Sequence, residues 1–302
     1  MPVLKPMVCG ALVLAALSNQ AFGASAPDTH ATWTTPIKPF RIYGNSFYVG
    51  SKGLSAVLVT SPQGHILIDG TLKQNAPLIE ANIRALGFKL SDVKAIVNSH
   101  AHSDHAGALA QLAKDTGAPV YASQAGALAL RLGGKDPQDP QYDGHVKFPP
   151  VDAEAVAELG HVRVGDLDLV GHATPGHTPG SMSWTWQSCE KGKCLHMVYS
   201  DSLTAMTNGT YRYTDDASHP QRVEQFRQSI AKIRGMPCDI LVTVHPDASD
   251  FLGRAMPDVS GRQPEGLVDI TACRRFADQA SQTLDSELAD EKTRTDATGT
   301  SH

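Results

Sequence analysis

Four side chains able to bind a transition metal stand within six consecutive positions, at His100, His102, Asp104 and His105. Imidazole and carboxylate are ligands that zinc accepts. In extended chain His100 and His102, two positions apart, project to one side. Asp104 and His105 fall where the chain turns into a helix and point at a second position. One loop can therefore serve two neighbouring ions. Two further histidines suit the same purpose: His177 in Thr174-Pro175-Gly176-His177-Thr178-Pro179-Gly180, and His245 in Val242-Thr243-Val244-His245-Pro246. The chain has 13 histidines, and a single one is more often a hydrogen-bonded structural residue. The density of the H-x-H-x-D-H run is what makes ligand candidates of His177 and His245.

Each of these residues needs a rigid element to aim it, and the flanking sequence supplies one. Residues 93–98 form a short continuous apolar run, as expected of a buried strand ending at the histidine run, and residues 106–116 read as the helix that follows. His177 and His245 also come directly after apolar strands, 167–173 and 239–244. Upstream, strands are expected at 41–50, 56–61 and 65–69, the last two joined by the turn signal Pro62-Gln63-Gly64, with a helix over 72–86. A strand at 119–122 and a helix at 124–132 continue a βαβα rhythm. Residues 133–150 hold four prolines and three glycines and read as a long loop. Strands resume at 156–159, 161–164, 182–187 and 195–199, and helices at 220–234 and 267–292. The same plan, strands and then strand–helix units, thus occurs twice. Two such halves packed sheet on sheet with helices outside give an αββα four-layer sandwich.

Composition narrows the class. At 302 residues and 41% hydrophobic, the chain can build a sizeable core. Its net charge of -5 and the lack of a Lys/Arg-rich run argue against a nucleic-acid partner. Lys5 precedes an apolar run from Met7 to Leu17, and small residues follow at Ala21-Phe22-Gly23-Ala24. That pattern reads as a secretory signal peptide over residues 1–23, too short for a membrane span. The expectation is a periplasmic or secreted protein, off the membrane after cleavage, with one domain over 24–292 and a disordered tail over 293–302. Removal of Cys9 leaves Cys189, Cys194, Cys238 and Cys273, an even number that suits an oxidising compartment. Four cysteines allow three pairings. Cys189–Cys194 is favoured because it would clip the turn Glu190-Lys191-Gly192-Lys193 between two strands, and Cys238–Cys273 would then tie the last strand to the last helix.

The H-x-H-x-D-H run, the Gly-His-Thr-Pro-Gly loop and the final strand-His resemble the metallo-β-lactamase superfamily over most of the mature chain. Within it, Tyr199-Ser200-Asp201-Ser202-Leu203-Thr204 resembles subclass B3, with Ser202 where other subclasses place a zinc-binding cysteine. Pro237-Cys238-Asp239-Ile240-Leu241 followed by Ala272-Cys273 resembles the subclass disulfide, Trp184-Thr185-Trp186 also fits, and the Cys189/Cys194 pair points to a branch with a second bridge. The resemblance implies the αββα fold and two Zn2+ per chain. His100, His102 and His177 would bind the first ion, and Asp104, His105 and His245 the second.

The activity it implies is hydrolysis of a small-molecule β-lactam by a monomer, a hydroxide bridging the two zinc ions opening the ring. Asp104 would then be catalytic as well as a ligand, orienting the nucleophile. Asp69 is expected to hold the histidine loop. Ser202 and Thr204 would meet the substrate carboxylate, Gln141 a polar arm, and Tyr142, Phe148 and Trp33 would supply apolar walls. The alternative is a thioesterase of the glyoxalase II type or a lactonase on the same fold, with Asp201 bridging the metals. A zinc-binding module without catalysis is the reading from a different class.

Overall fold

The computed structural model describes residues 30–215, 217–255 and 266–299, together with Met1. The leader read over residues 1–23 lies, Met1 apart, outside them. One sheet contains β1 (Phe40–Tyr43), β2 (Ser46–Tyr48), β3 (Val57–Ser61), β4 (Gly64–Ile68), β5 (Val93–Val97), β6 (Val120–Ser123) and β7 (Ala153–Val156), side by side in chain order. β1 to β4 pair antiparallel, and β4 to β7 pair parallel. The second sheet contains β8 (His161–Val164), β9 (Leu167–Ala173), β10 (Met182–Glu190), β11 (Lys193–Ser200) and β12 (Ile240–Thr243). The helices are α1 (Ala76–Ala85), α2 (Ser103–Ala106), α3 (Leu109–Thr116), α4 (Gln124–Arg131), α5 (Arg222–Gly235), α6 (Phe251–Ala255) and α7 (Ala272–Gly299).

Strand periodicity explains the layering. Successive side chains on a strand point to opposite faces, so a strand buried on both sides must be apolar throughout. On β4, Ile66 and Ile68 enter the core between the sheets with Trp184, Met197 and Val242. Leu67 between them faces a second core with Ile79, Leu109 and Leu130 of α1, α3 and α4. The second sheet mirrors this: Met197 and Tyr199 turn inward, and Val198 packs outward with Phe226 of α5 and Phe276 of α7. The result is the αββα sandwich expected from the sequence.

Direction decides where the site forms. β4 to β7 run parallel, so their carboxyl ends share one edge of the first sheet. β10 is antiparallel to both β9 and β11, and β12 is parallel to β11, so β9, β11 and β12 also end together. Ligands in open α/β sheets gather at such carboxyl edges.

Four local readings differ from the structure. Residues 41–50 form two strands, β1 and β2, because Gly44 at φ +50° turns the chain between them. The strand read at 156–159 is shifted to β7, whose register pairs Val120 with Ala153, while Leu159 takes φ +57° and turns away. The helix read over 106–116 is two helices, interrupted at Ala108, which sits at φ -94° and ψ -3° and gives its amide to the Thr71 carbonyl at 3.2 Å. The expected loose tail from Thr293 continues α7 to Gly299, with residues 300–302 outside the described ones. Thr293 Oγ1 donates to the Ala289 carbonyl, and the good helix formers Ala289, Glu291 and Lys292 lead directly into this stretch.

Both cysteine pairs are joined, Cys189–Cys194 across the β10–β11 turn and Cys238–Cys273 between the approach to β12 and the first turn of α7. They close segments with sequence separations of 5 and 35. Loop-closure entropy gives about 2 kcal/mol for the shorter and about 4 kcal/mol for the longer. Urea denaturation should therefore show Cys238→Ser/Cys273→Ser losing roughly twice the stability lost by Cys189→Ser/Cys194→Ser. Equal losses would disprove that ordering. Among the described residues, no helix is long and apolar enough to cross a membrane.

Candidate metal centre

β5 delivers the chain to the edge, and four contacts then fix the loop that follows it. The Asn98 amide donates to the Tyr121 carbonyl on β6. The Asn98 carbonyl accepts from the Trp184 indole at 3.1 Å, and the Ser99 carbonyl from the Met182 amide at 2.8 Å, which ties the loop to the second sheet. The fourth contact is Asp69, at the end of β4. Its carboxylate accepts from the Asn98 side chain at 2.9 Å, the Ser99 amide at 2.7 Å, the Ser99 hydroxyl at 2.6 Å and the Tyr199 hydroxyl at 2.9 Å. Asp69 is fully buried and sits at φ +62°, a left-handed conformation that an aspartate holds only when its surroundings over-determine it. Burial, opposed by His105 and Ser99, raises its pKa to about 6.

The six expected ligands come together in two groups. His100 Nε2 stands 3.1 Å from His102 Nδ1, and the ring of His177 lies 4.8 and 4.9 Å from those of His100 and His102. These three side chains converge closely enough to hold one ion. His100, Asp104 and His105 form a second such group. His245 joins it, its Nε2 being 3.2 Å from His105 Nε2 and 3.3 Å from an Asp104 oxygen. His102 stands in extended conformation immediately before the short helix α2, so Asp104 and His105 leave from its first turn toward the second group. Gly176 lets the His177 loop lie against α5, where the Phe226 ring comes within 2.2 Å of a would-be Cβ.

The outward ring nitrogens show what the inward ones can do. His100 Nδ1 is 2.6 Å from an Asp201 oxygen, His102 Nε2 is 2.7 Å from Asp139, and His177 Nδ1 is 2.8 Å from the Thr204 carbonyl. Each partner is an acceptor, so each outward nitrogen carries the proton and each inward nitrogen presents a lone pair. Facing lone pairs about 3 Å apart repel unless a cation lies between them. Burial and the neighbouring His105 push the His100 imidazole well below its usual pKa, and burial with His100 and His102 takes His177 down to about 3. Both rings are therefore neutral at pH 7 and free to ligate. Burial alone would raise Asp104, but His105 and His245 hold it well below the ordinary carboxylate range. His105 shows the converse, its burial outweighed by Asp104. Asp104 and His105 thus favour positive charge beside the buried carboxylate, a charge that a metal ion would supply. The residues fit zinc.

A cavity of about 400 Å³ opens over the cluster. Ser202, Thr204, Gln141 and Trp33 line it, together with four residues that the sequence reading missed: His30, Ser103, Lys147 and Met206. The Trp33 ring stands 5.4 Å from that of His245. Phe148, expected in a wall, belongs instead to the core beneath the first sheet, because the loop returns there to pack against α4. Tyr142 is not among the lining residues. Asp139 and the orienting role of Asp201 were also missed. Both are contacts over long sequence distances, and no local pattern announces them.

Residues 52–190 match the metallo-beta-lactamase superfamily. Among solved structures the chain is similar to Rm3 metallo-beta-lactamase, at 46% identity and a TM-score of 0.84, covering 89% of this chain and 100% of that one. It is also similar to MEM-A1, a subclass B3 metallo-beta-lactamase isolated from a soil metagenome library, at 43% identity and a TM-score of 0.82, covering 87% and 99%. Among curated relatives it is similar to a hydroxyacylglutathione hydrolase of Anaeromyxobacter dehalogenans (strain 2CP-C), 28% identical over 57% of this chain. The match covers 53% of that protein, so the chain spans about half of its length.

Proposed function

The chain belongs to the metallo-beta-lactamase superfamily, and from that membership we propose that it is an exported β-lactam hydrolase of the subclass B3 type, holding two zinc ions per chain. His100, His102 and His177 would hold the first ion, and Asp104, His105 and His245 the second. Bound zinc lowers the pKa of water from about 15.7 to about 7 and polarises a carbonyl oxygen. Asp104 faces the cavity with a carboxylate that is anionic at neutral pH, so it can accept a hydrogen bond from the attacking water and align it. Ser202 and Thr204 offer hydroxyls at the cavity wall to the substrate carboxylate, and Gln141, on the long loop, offers its amide to a polar arm of the substrate. Trp33 excludes solvent beside His245. Two disulfides support folding in an oxidising compartment outside the cytoplasm.

The observation that carries the lactam reading over its rival is the position of Asp201. A thioesterase or lactonase reading needs this carboxylate to bridge the metals. Here it accepts from the outer nitrogen of His100 at 2.6 Å, on the far side of the ring from the ligand cluster. The similarity to a hydroxyacylglutathione hydrolase keeps the thioester reading as the one to test against. Purified protein should hydrolyse a chromogenic cephalosporin faster than a glutathione thioester or a homoserine lactone. The opposite ranking would overturn the lactam reading.

Ser202→Ala supplies a finer test. A hydrogen bond to a charged group contributes about 1.5–3 kcal/mol, so KM for a carboxylate-bearing cephalosporin should rise roughly tenfold or more. KM for the methyl ester of the same compound should barely move. An equal rise for both would remove Ser202 from carboxylate recognition.

A further inference from the structure

The loop over 133–152 carries one residue that reaches back to the metal centre. Asp139 is buried, and its two carboxylate oxygens have different partners. Oδ2 accepts from His102 Nε2 at 2.7 Å, and Oδ1 accepts from the Gln141 amide at 2.7 Å. The Asp139 carbonyl in turn accepts from the Tyr142 amide at 3.0 Å. Asn208, from the segment that follows β11, holds the same turn, its amide donating to the Pro140 carbonyl at 2.8 Å and its side chain to the Tyr142 carbonyl at 2.6 Å. Gln141 is thereby presented to the cavity.

We propose that Asp139 is a positioning residue that fixes the tautomer of the metal ligand His102 and, through its second oxygen, couples metal binding to the placement of Gln141. The proposal rests on the zinc reading given above. A proton held on His102 Nε2 leaves Nδ1 as the lone pair facing His100. Without the Asp139 acceptor nothing here selects that tautomer, and the ring can rotate or carry its proton toward the ion. One carboxylate accepts both contacts at once, which a neutral amide cannot do. In an Asn side chain the single carbonyl must choose. If it keeps the Gln141 amide, its NH2 faces His102 Nε2 and favours the wrong tautomer; if it keeps His102, the turn that presents Gln141 opens.

The test uses zinc alone and the full chain. Competition with a chromophoric chelator should show the zinc affinity of Asp139→Asn reduced about 10–100-fold, the range for loss of a group that orients a ligand histidine. Asn208→Ala loosens the same loop from its other side but leaves the Asp139–His102 contact, so it should weaken zinc binding far less than Asp139→Asn does. Hydrogen exchange on the unmodified protein gives a readout that needs no variant to fold. Zinc should slow exchange at the Gln141 amide, which Asp139 accepts, and removal of zinc should restore it. Wild-type zinc affinity in Asp139→Asn, equal weakening in Asn208→Ala, or exchange at Gln141 indifferent to zinc would each overturn the proposal. A wild-type protein that takes up no zinc would instead sink the reading on which it rests.

Discussion

Stripping the protein of divalent metal should lower its turnover of a chromogenic cephalosporin by more than about 10³-fold, and zinc should restore it. The size of the effect follows from the nucleophile. Free water has a pKa of about 15.7 and zinc brings this near 7, so at neutral pH the metal-free protein has almost no hydroxide to deliver. Its own side chains do not compensate. His100 and His177 are buried among other imidazoles that oppose their protonation, and Asp104 is held as a weak base by His105 and His245. Magnesium should not substitute, because an imidazole-rich set suits zinc and not a hard oxygen-seeking ion. Metal content followed by atomic emission alongside initial rates gives the check. Full activity in protein shown to be free of metal would refute the zinc assignment.

Asp69→Ala should be the most destabilising single substitution near the site, by about 4 kcal/mol, with hydrolysis lost in parallel. Four donors converge on this one buried carboxylate: the Asn98 side chain, the Ser99 amide, the Ser99 hydroxyl and the Tyr199 hydroxyl. Each buried donor left unpaired costs about 1–3 kcal/mol, and water entering the hole offsets part of the total. For a domain of this size the loss corresponds to a fall in Tm of roughly 10 °C. Asp69→Asn should lose about half as much, since it keeps a carbonyl acceptor and the two hydroxyls can turn to accept from its NH2. Thermal unfolding of both variants measures this directly. A change below 1 kcal/mol for Asp69→Ala would mean that the histidine loop is held by its contacts to the second sheet alone.

The layers were legible in the sequence because strands such as β4 and β5 carry the unbroken apolar runs Ile66–Ile68 and Ala95–Val97 and are followed by turn residues, a pattern that solvent-exposed segments cannot sustain. The expected ligands were legible because four of them crowd into one loop. What remained hidden depends on long-range approach. Asp139 meets His102 across 37 residues and Asp201 meets His100 across 101, and each acts through a hydrogen bond whose partner sequence order does not indicate. Phe148 was misplaced for a related reason, since aromatic character cannot tell a cavity wall from a core. The break between α2 and α3 turned on the Ala108 amide reaching the Thr71 carbonyl, a contact that helical periodicity does not encode.

Trp33, Gln141 and Met206 reach into the cavity, yet none of them belongs to any of the three apolar cores. Recognition and architecture are therefore drawn from separate pools of side chains. Replacements at these tips can reshape which molecules are admitted while leaving the sandwich as stable as before. Under selection for altered substrates, adaptive substitutions should accumulate there first, long before any appear beneath the sheets.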